Sequence, residues 1–251
     1  MKLLIDIGNT SCRWAWWDET GFVAGGFARH GGRFERGLAQ VPEVPVPDAV
    51  WVANVAGERA AEAVTQRARA AWDVAPTFVT AAPRGHGVVN GYREPTRLGA
   101  DRWAALVGAR ALRAGPVCIA DCGTALTIDL LDEGGQHRGG LILPGLALMR
   151  RAVERGTRGV RLDAEAVPQD GALLGRSTGE GVAVGTLYAA VALIDRVIAD
   201  LAVELGAAPL CLITGGDGPT LAPLIGAACR HEPQLTLQGL AVLAGADPER
   251  L

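Results

Sequence analysis

LIDIGNT at residues 4–10 and CIADCGT at residues 118–124 are two copies of one pattern, and this pattern decides the fold. Each copy is a short apolar run that ends in Asp-x-Gly, is soon followed by a threonine, and leads into a second apolar run. Apolar runs of this length bounded by turn residues predict strands, so each copy predicts a strand, a tight turn and a strand. One copy opens the chain and the other opens its second half. The repeat therefore predicts two related lobes, residues 1–115 and 116–251, which face each other across a cleft.

Strands and helices are predicted to alternate along the rest of the chain, which is typical of an α/β fold. The further predicted strands include 49–53, 77–80, 125–131, 138–143, 210–214 and a last short one at 235–237. The predicted helices are 58–72, 101–112, 145–154, 180–205 and 219–229. The longest uncharged apolar stretch, residues 182–194, is too short to span a bilayer and predicts a buried core helix, with no membrane partner.

Composition excludes several classes of function. The net charge of −3 gives no bulk attraction to nucleic acid or to an anionic membrane. Lys2 is the only lysine, so a P-loop and a protein-kinase lysine are excluded, and lysine Schiff-base chemistry is not expected. The five cysteines include no C-x-x-C pair, which favours reduced thiols and a cytoplasmic location. The first apolar run is broken at Asp6, so it does not resemble a signal peptide.

The two repeated turns suit phosphate binding. A glycine turn exposes backbone N–H groups and lets the chain approach a phosphate closely. The aspartate repels phosphate but can hold a metal ion, or the water around it, that bridges phosphate oxygens. A third glycine-rich stretch, TGGDG at residues 214–218, lies between a predicted strand and a predicted helix. This stretch either binds a nucleotide through its backbone or is an ordinary turn. The two Asp-x-Gly turns favour the nucleotide-binding role.

Residues 89–102 are predicted to form a long loop that ends at the first turn of a helix, and long loops often carry binding groups. Asp101 lies in that first helical turn. Its carboxylate either stabilises the helix dipole or acts as a general base for a substrate hydroxyl. The residues alone favour neither role.

With these motifs in hand, the chain resembles the type III pantothenate kinases over essentially its whole length. That family belongs to the superfamily of acetate and sugar kinases, heat-shock chaperones and actin. The resemblance implies two ribonuclease H-like (actin-like) lobes around a nucleotide cleft. It is carried by residues 6–10, 90–102, 121–127 and 139–145.

The resemblance also implies roles for individual residues. A first phosphate loop would bind ATP through Asp6, Ile7, Gly8, Asn9, Thr10, Ser11, Cys12 and Arg13, and Thr124 would also contact ATP phosphate. Pantothenate would be held by Tyr92, Gly99, Ala100, Asp101, Arg102 and Thr178, with Asp101 as the catalytic base. Asp121 would bind a monovalent cation, K⁺ or NH₄⁺, used together with Mg²⁺. In the family pattern Asn often precedes the threonine at 178, whereas here Ser177-x-x-Glu180 also predicts a helix capping box.

The implied reaction is phosphorylation of pantothenate by ATP to 4′-phosphopantothenate, the first step of coenzyme A biosynthesis, in a homodimer. Three alternatives remain: a kinase of the same fold acting on another alcohol, a non-catalytic nucleotide-binding regulator, and a phosphatase-like hydrolase. The match of residues 90–102 argues against the first and third, and the presence of Asp6, Asp101 and Asp121 argues against the second. No nucleic-acid partner is expected, since the sequence has no basic stripe or recognition helix.

Overall fold

A computed structural model describes residues 1–160 and 174–245 of the chain. Its strands are β1 (Lys2–Ile7), β2 (Ser11–Asp18), β3 (Gly21–Arg29), β4 (Ala49–Asn54), β5 (Pro76–Phe78), β6 (Arg84–Gly85), β7 (Val88–Val89), β8 (Val117–Cys122), β9 (Ala125–Leu131), β10 (His137–Pro144), β11 (Leu210–Thr214) and β12 (Cys229–His231). Its α-helices are α1 (Phe34–Leu38), α2 (Glu58–Trp72), α3 (Ala100–Leu112), α4 (Leu146–Gly156), α5 (Thr178–Leu205), α6 (Gly218–Leu221) and α7 (Leu235–Leu243).

The described residues form two compact units. The first contains residues 1–116, 130–139 and 234–245, and the second contains residues 117–129 and the described part of 140–233. The sequence predicts a single boundary between the two lobes, at residues 115 and 116. The chain does leave the first unit after residue 116, but two later segments pack with the first unit. The assignment of 1–115 and 116–251 as functional lobes stays a prediction.

The first unit is built on a five-stranded sheet of order β3-β2-β1-β4-β5. β1 is its central strand, antiparallel to β2 and parallel to β4. Helix α2 packs its alanines and Trp72 into the core beside the sheet. There Trp72 meets the fully buried Trp16 edge to face, with ring centroids 6.1 Å apart. Strand β3, which the sequence analysis did not anticipate, forms an edge of this sheet.

The second unit repeats the same sheet order, β10-β9-β8-β11-β12, with β8 in the central position that β1 holds in the first sheet. β11 is parallel to both β8 and β12. The two-residue turn between β8 and β9 allows only an antiparallel pair. Two α/β units with this shared order confirm the predicted α/β class and its two ribonuclease H-like sheets.

Two predicted elements near the C-terminus are wrong. Residues 235–237 begin helix α7 instead of a strand, because a short apolar run does not by itself distinguish a strand from a buried helix. Residues 219–229 were predicted as one helix, but the structure has the single turn α6, a 3₁₀ turn over Ala222–Leu224 and then strand β12. Pro223 lies inside that 3₁₀ turn, where its ring does not permit an α-helix to continue.

Helix α5 is 28 residues long and, by length and composition alone, apolar enough to cross a membrane. Buried core helices pass the same test, so this property is weak evidence by itself. One face of α5, including Leu187, Ile194 and Ile198, contributes to the core of the second unit, so the buried helix predicted for residues 182–194 is confirmed for this face alone. Its opposite face is exposed, with Tyr188 and Val203 at the surface.

Helices α3 and α7 cross at two glycines in the first unit. A Cβ atom on Gly239 would lie 1.8 Å from the carbonyl oxygen of Ala104, and one on Gly108 would lie 2.5 Å from that of Leu235. Both obstacles are backbone atoms, which cannot move aside as a flexible side chain would. The docking of the C-terminal helix on the first unit therefore requires glycine at this crossing.

We expect Gly239→Ala to lower the stability of the protein by about 1–3 kcal/mol, because overpacking forces the two helices apart. The measurement is urea-induced unfolding followed by circular dichroism. Gly156→Ala is the matched control, since Gly156 lies in helix α4 with nothing within 4 Å of an added Cβ. Equal stabilities of these two alanine variants would contradict the close packing described here.

Candidate active site

The first Asp-x-Gly turn joins β1 to β2 in the first unit. Asp6 lies next to the end of β1, opposite Arg13 of β2 in the strand register. The N–H of Gly8 donates to the carbonyl oxygen of Ser11 at 3.0 Å and closes the turn. Asn9 is exposed at its tip, with Thr10 beside it. The segment has the shape expected of a phosphate loop: a tight turn with backbone at its surface.

Two of the residues predicted to bind ATP can do so only through their backbone. The side chains of Ile7 and Cys12 are buried in the core of the first unit. Burial, and then the negative charge of Asp6, raise the pKa of the Cys12 thiol to about 11. The thiol is therefore neutral near pH 7 and is not a nucleophile.

The loop that begins at residue 90 is held by one buried side chain. The Asn90 amide donates to the carbonyl oxygens of Ala82 and Pro95, at 3.2 and 3.0 Å. Its side-chain oxygen accepts from the N–H of Tyr92 at 3.0 Å. Three hydrogen bonds from a single asparagine explain how an otherwise irregular segment keeps one shape.

Tyr92 contacts a histidine and an arginine, all within the first unit. Its ring stacks on the fully buried ring of His137, with centroids 5.9 Å apart and planes 19° apart. The Arg102 guanidinium lies 5.3 Å from the Tyr92 ring centroid and donates a hydrogen bond to the Tyr92 hydroxyl. His137 lies outside the sequence motifs described above. Only the return of residues 130–139 to the first unit places it here.

Asp101 lies in the first turn of α3, and its carboxylate folds back toward the residue that precedes the helix. A Cβ atom on Gly99 would lie 2.6 Å from Oδ1 of Asp101. The same Oδ1 accepts from the N–H of Arg102 at 2.7 Å. Glycine at 99 therefore makes room for the catalytic candidate itself, whereas Ala100 is buried.

Val55 connects the start of α3 to the first turn. Its N–H donates to the carbonyl oxygen of Ile7 at 3.2 Å. Its Cγ1 lies 3.5 Å from the position that a Cβ on Gly99 would take. The structure thus brings together, within one unit, two segments that the family resemblance assigns to ATP and to pantothenate.

The second Asp-x-Gly turn joins β8 to β9 in the second unit, where the N–H of Gly123 donates to the carbonyl oxygen of Ala125 at 3.1 Å. Gly145 packs directly on this turn, and its N–H donates to the carbonyl oxygen of Thr124 at 3.0 Å. A Cβ on Gly145 would lie 2.2 Å from the carbonyl oxygen of Gly123. Gly145, the last glycine of the family motif at 139–145, therefore packs directly against the turn and supports it.

The stretch TGGDG at 214–218 packs on the same turn. The N–H of Asp217 donates to the carbonyl oxygen of Cys122 at 2.8 Å, and Gly215 has a left-handed φ of +90°. A Cβ on Gly215 would lie 2.5 Å from Oδ1 of Asp121. Burial raises the pKa of the Cys122 thiol, and the carboxylates of Asp121 and Asp217 raise it further. Two carboxylates therefore lie near one strand end, next to an apolar recess lined in part by Leu126, Leu146 and Met149.

Thr178 is the first residue of helix α5 and is exposed. The first bond of the predicted capping box is present, because the Ser177 hydroxyl accepts from the N–H of Glu180 at 3.2 Å, but the reciprocal bond goes to the residue before the N-cap. The Glu180 carboxylate reaches back to the N–H of Arg176 at 2.6 Å. These bonds fix the start of the helix and so the position of Thr178 on the second unit.

A metal ion at this site would depend on few protein ligands. Within residues 1–160 and 174–245, no group of three or more His, Cys, Asp or Glu side chains is arranged to hold a metal. An ion beside Asp121 would then take its other ligands from phosphate oxygens, water or backbone carbonyls, as Mg²⁺ commonly does in kinases.

The shared sheet order and the Asp-x-Gly turn after each central strand define an actin-like α/β protein, the class to which many small-molecule kinases belong. A solved structure from Sinorhizobium meliloti, described as a 2-dehydro-3-deoxygalactonokinase, has the same fold. It is 18% identical, covers 97% of this chain and 98% of its own, and superposes with a TM-score of 0.58.

The chain belongs to the type III pantothenate kinase family, whose profile matches residues 2–200. A type III pantothenate kinase of Nitrosococcus oceani is 40% identical over 257 residues, covering 97% of this chain and 94% of the relative. One of Azoarcus sp. is 39% identical over 249 residues, covering 98% and 92%. The family phosphorylates pantothenate in coenzyme A biosynthesis, so the predicted kinase function is confirmed at this level.

Proposed function

We propose that this chain transfers the γ-phosphoryl group of ATP to the primary hydroxyl of pantothenate, with Asp101 as the general base. The position of Asp101 carries this proposal. Its carboxylate folds over the start of α3 into space left by Gly99, and Val55 connects that point to the first phosphate loop. A hydroxyl that attacks phosphorus must be aligned with the γ-phosphate and must lose its proton. A carboxylate within hydrogen-bond reach of the hydroxyl does both.

The remaining groups divide between the two ends of the substrates. Asp6–Arg13 and Thr124 hold the phosphates of ATP, chiefly through backbone N–H groups and hydroxyls, because the turns are tight and the side chains of Ile7 and Cys12 are buried. Asp121 would hold a monovalent cation, K⁺ or NH₄⁺, and Mg²⁺ would supply positive charge at the phosphates. Metal ions suit this role because they neutralise the negative charge of the phosphates, which a carboxylate alone would repel.

Pantothenate is a carboxylate as well as an alcohol, and Arg102 suits its carboxylate end. A guanidinium forms paired hydrogen bonds with a carboxylate. Arg102 is held in place by Tyr92, whose ring is itself fixed by His137. Thr178, exposed at the capped start of α5, is proposed as a further pantothenate-binding residue.

Asp101→Asn should reduce kcat by about 10²–10⁴-fold, the usual loss when a general base is removed. Pantothenate affinity should change much less. The measurement is ADP release coupled to an indicator enzyme, with pantothenate compared against a panel of other alcohols, together with calorimetric titration of pantothenate.

Glu58→Gln is the matched control, because Glu58 is also an acidic residue in the first turn of a helix of the first unit. Loss of either charge should cost less than about 1 kcal/mol through the helix dipole. If Asp101→Asn keeps a near wild-type kcat and melts like Glu58→Gln, Asp101 is only a helix-terminal charge.

The cation proposal predicts that activity requires Mg²⁺ and rises when Na⁺ is replaced by K⁺ at constant ionic strength. Asp121→Asn should abolish the K⁺ activation and raise the KM for ATP more than that for pantothenate, because the site lies at the second phosphate turn. Rates measured in NaCl, KCl and NH₄Cl test this. Equal rates in the three salts, or a K⁺ response retained by Asp121→Asn, would argue against it.

We also propose that the protein is a cytoplasmic homodimer. The exposed face of α5 supports a protein partner: Gly181, Gly185, Tyr188, Ala192 and Val203 recur at helical spacing, and Tyr188 is 50% exposed. Small residues let a second backbone approach, and a large exposed apolar surface is typical of an interface.

Gly185→Arg should therefore produce a monomer of 26.0 kDa in light scattering, where the wild type has twice that mass. Val44→Arg is the control, because it adds the same charge at an exposed apolar residue of the first unit. A wild-type protein that is monomeric at micromolar concentration refutes the dimer.

A further inference from the structure

A second buried histidine, His30, lies directly after β3 beneath the first phosphate loop. It is 2% exposed. Its Nε2 lies 3.1 Å from the carbonyl oxygen of Gly8, and its Nδ1 lies 3.0 Å from the backbone nitrogen of Gly32. Both ring nitrogens are therefore engaged by backbone groups, one of which belongs to the Asp-x-Gly turn.

These two contacts fix the tautomer of the ring. The N–H of Gly32 can only donate, so Nδ1 must be its acceptor and carries no proton. The single ring proton then lies on Nε2, which donates it to the carbonyl oxygen of Gly8. His30 is thus a neutral imidazole whose Nε2–H points at the phosphate loop and whose Nδ1 faces Gly32.

The bond to Gly8 sets the direction of an N–H group on the loop. The peptide between Gly8 and Asn9 is a planar trans unit, in which the carbonyl and the N–H point in opposite directions. Because His30 draws the Gly8 carbonyl oxygen inward, the N–H of Asn9 is turned away from His30. A carbonyl directed at a phosphate would repel it, whereas an N–H attracts it.

The backbone around His30 holds the same loop at a second carbonyl. The N–H groups of His30 and Gly31 both donate to the carbonyl oxygen of Thr10, at 2.9 and 3.0 Å. Gly32, at a φ of +87°, turns the chain so that its N–H reaches the ring. The ring also packs against Phe34 of α1, with centroids 4.8 Å apart. The end of β3 therefore forms a rigid support for the turn.

We propose that His30 is a positioning residue for ATP: its Nε2–H holds the Gly8 carbonyl away from the nucleotide and so directs the N–H of Asn9 to a phosphate oxygen. This proposal rests on the proposed role of residues 6–13 as the phosphate loop. His30 itself does not contact the substrate or the reacting atoms. Its effect is expected on ATP and not on pantothenate.

The test compares three substitutions that separate the two ring nitrogens. In His30→Gln the side-chain amide can still donate where Nε2 does, and in His30→Asn the shorter side chain can satisfy Gly32 but cannot reach Gly8. His30→Ala removes both contacts. We expect the KM for ATP to rise about two- to tenfold in His30→Ala and His30→Asn, the range of one lost hydrogen bond, and to stay within about twofold of wild type in His30→Gln. The KM for pantothenate should be unchanged in all three.

Nuclear magnetic resonance supplies a readout that a purely structural role would not move. The ¹⁵N shifts of the His30 ring at pH 7.5 should be those of the neutral Nε2–H tautomer. On addition of ADP, the Asn9 amide should shift in wild type and in His30→Gln, but shift much less in His30→Asn. His86→Asn is the control, because His86 is exposed in a left-handed turn that asparagine tolerates.

Equal ATP KM values for His30→Asn and His30→Gln would overturn the proposal, even if His30→Ala does not fold. Detection of the Nδ1–H tautomer of His30 would also overturn the proposal. Asp6→Asn distinguishes this failure from failure of the loop assignment. If Asp6→Asn raises the KM for ATP while the His30 variants do not, only the inference about His30 is wrong. If neither affects ATP, the proposed phosphate loop is wrong as well.

Discussion

Each sheet depends on a central strand that is hydrogen-bonded on both edges, β1 in the first unit and β8 in the second. The antiparallel neighbour follows after a tight turn, whereas the parallel neighbour, β4 or β11, returns only after a long connection. With both edges paired, such a strand cannot slip in register without losing two sets of hydrogen bonds. The aspartate and the turn at its end are therefore held in a fixed place, which a site that transfers a phosphoryl group requires.

Around these strand ends, space is made by residues that lack a side chain. Gly145 and Gly215 bring two separate segments against the turn after β8, and Gly99 admits the carboxylate of Asp101. In each case an added Cβ would lie within about 2.6 Å of another atom. A chain with one lysine can build the proposed phosphate site in this way, because backbone N–H groups supply the donors that lysine supplies elsewhere.

The histidines show why sequence motifs do not reveal some buried polar residues. A catalytic or metal-binding histidine is recognised by its spacing from other ligands, and neither His30 nor His137 has such spacing. Each is buried against a loop proposed to bind a substrate, His30 beneath the turn after β1 and His137 behind Tyr92. Their partners are mostly backbone groups and ring faces, which carry no sequence signature.

The sequence by itself determined the α/β class, the two related halves and the residues that belong to the family motifs, because these depend on local patterns: apolar runs, Asp-x-Gly turns and their repetition. It also placed helix 58–72 and strands 125–131 and 210–214 at their observed bounds. Only the tertiary structure decided that residues 130–139 and 234–245 pack with the first unit, that 235–243 is a helix, and that His30 and His137 support the loops. The reason is physical: a short apolar run satisfies its backbone hydrogen bonds equally well as strand or helix. The surface on which the run packs decides between the two, and here that surface is the glycine crossing of α3 and α7. It is assembled from residues more than a hundred positions away in the sequence.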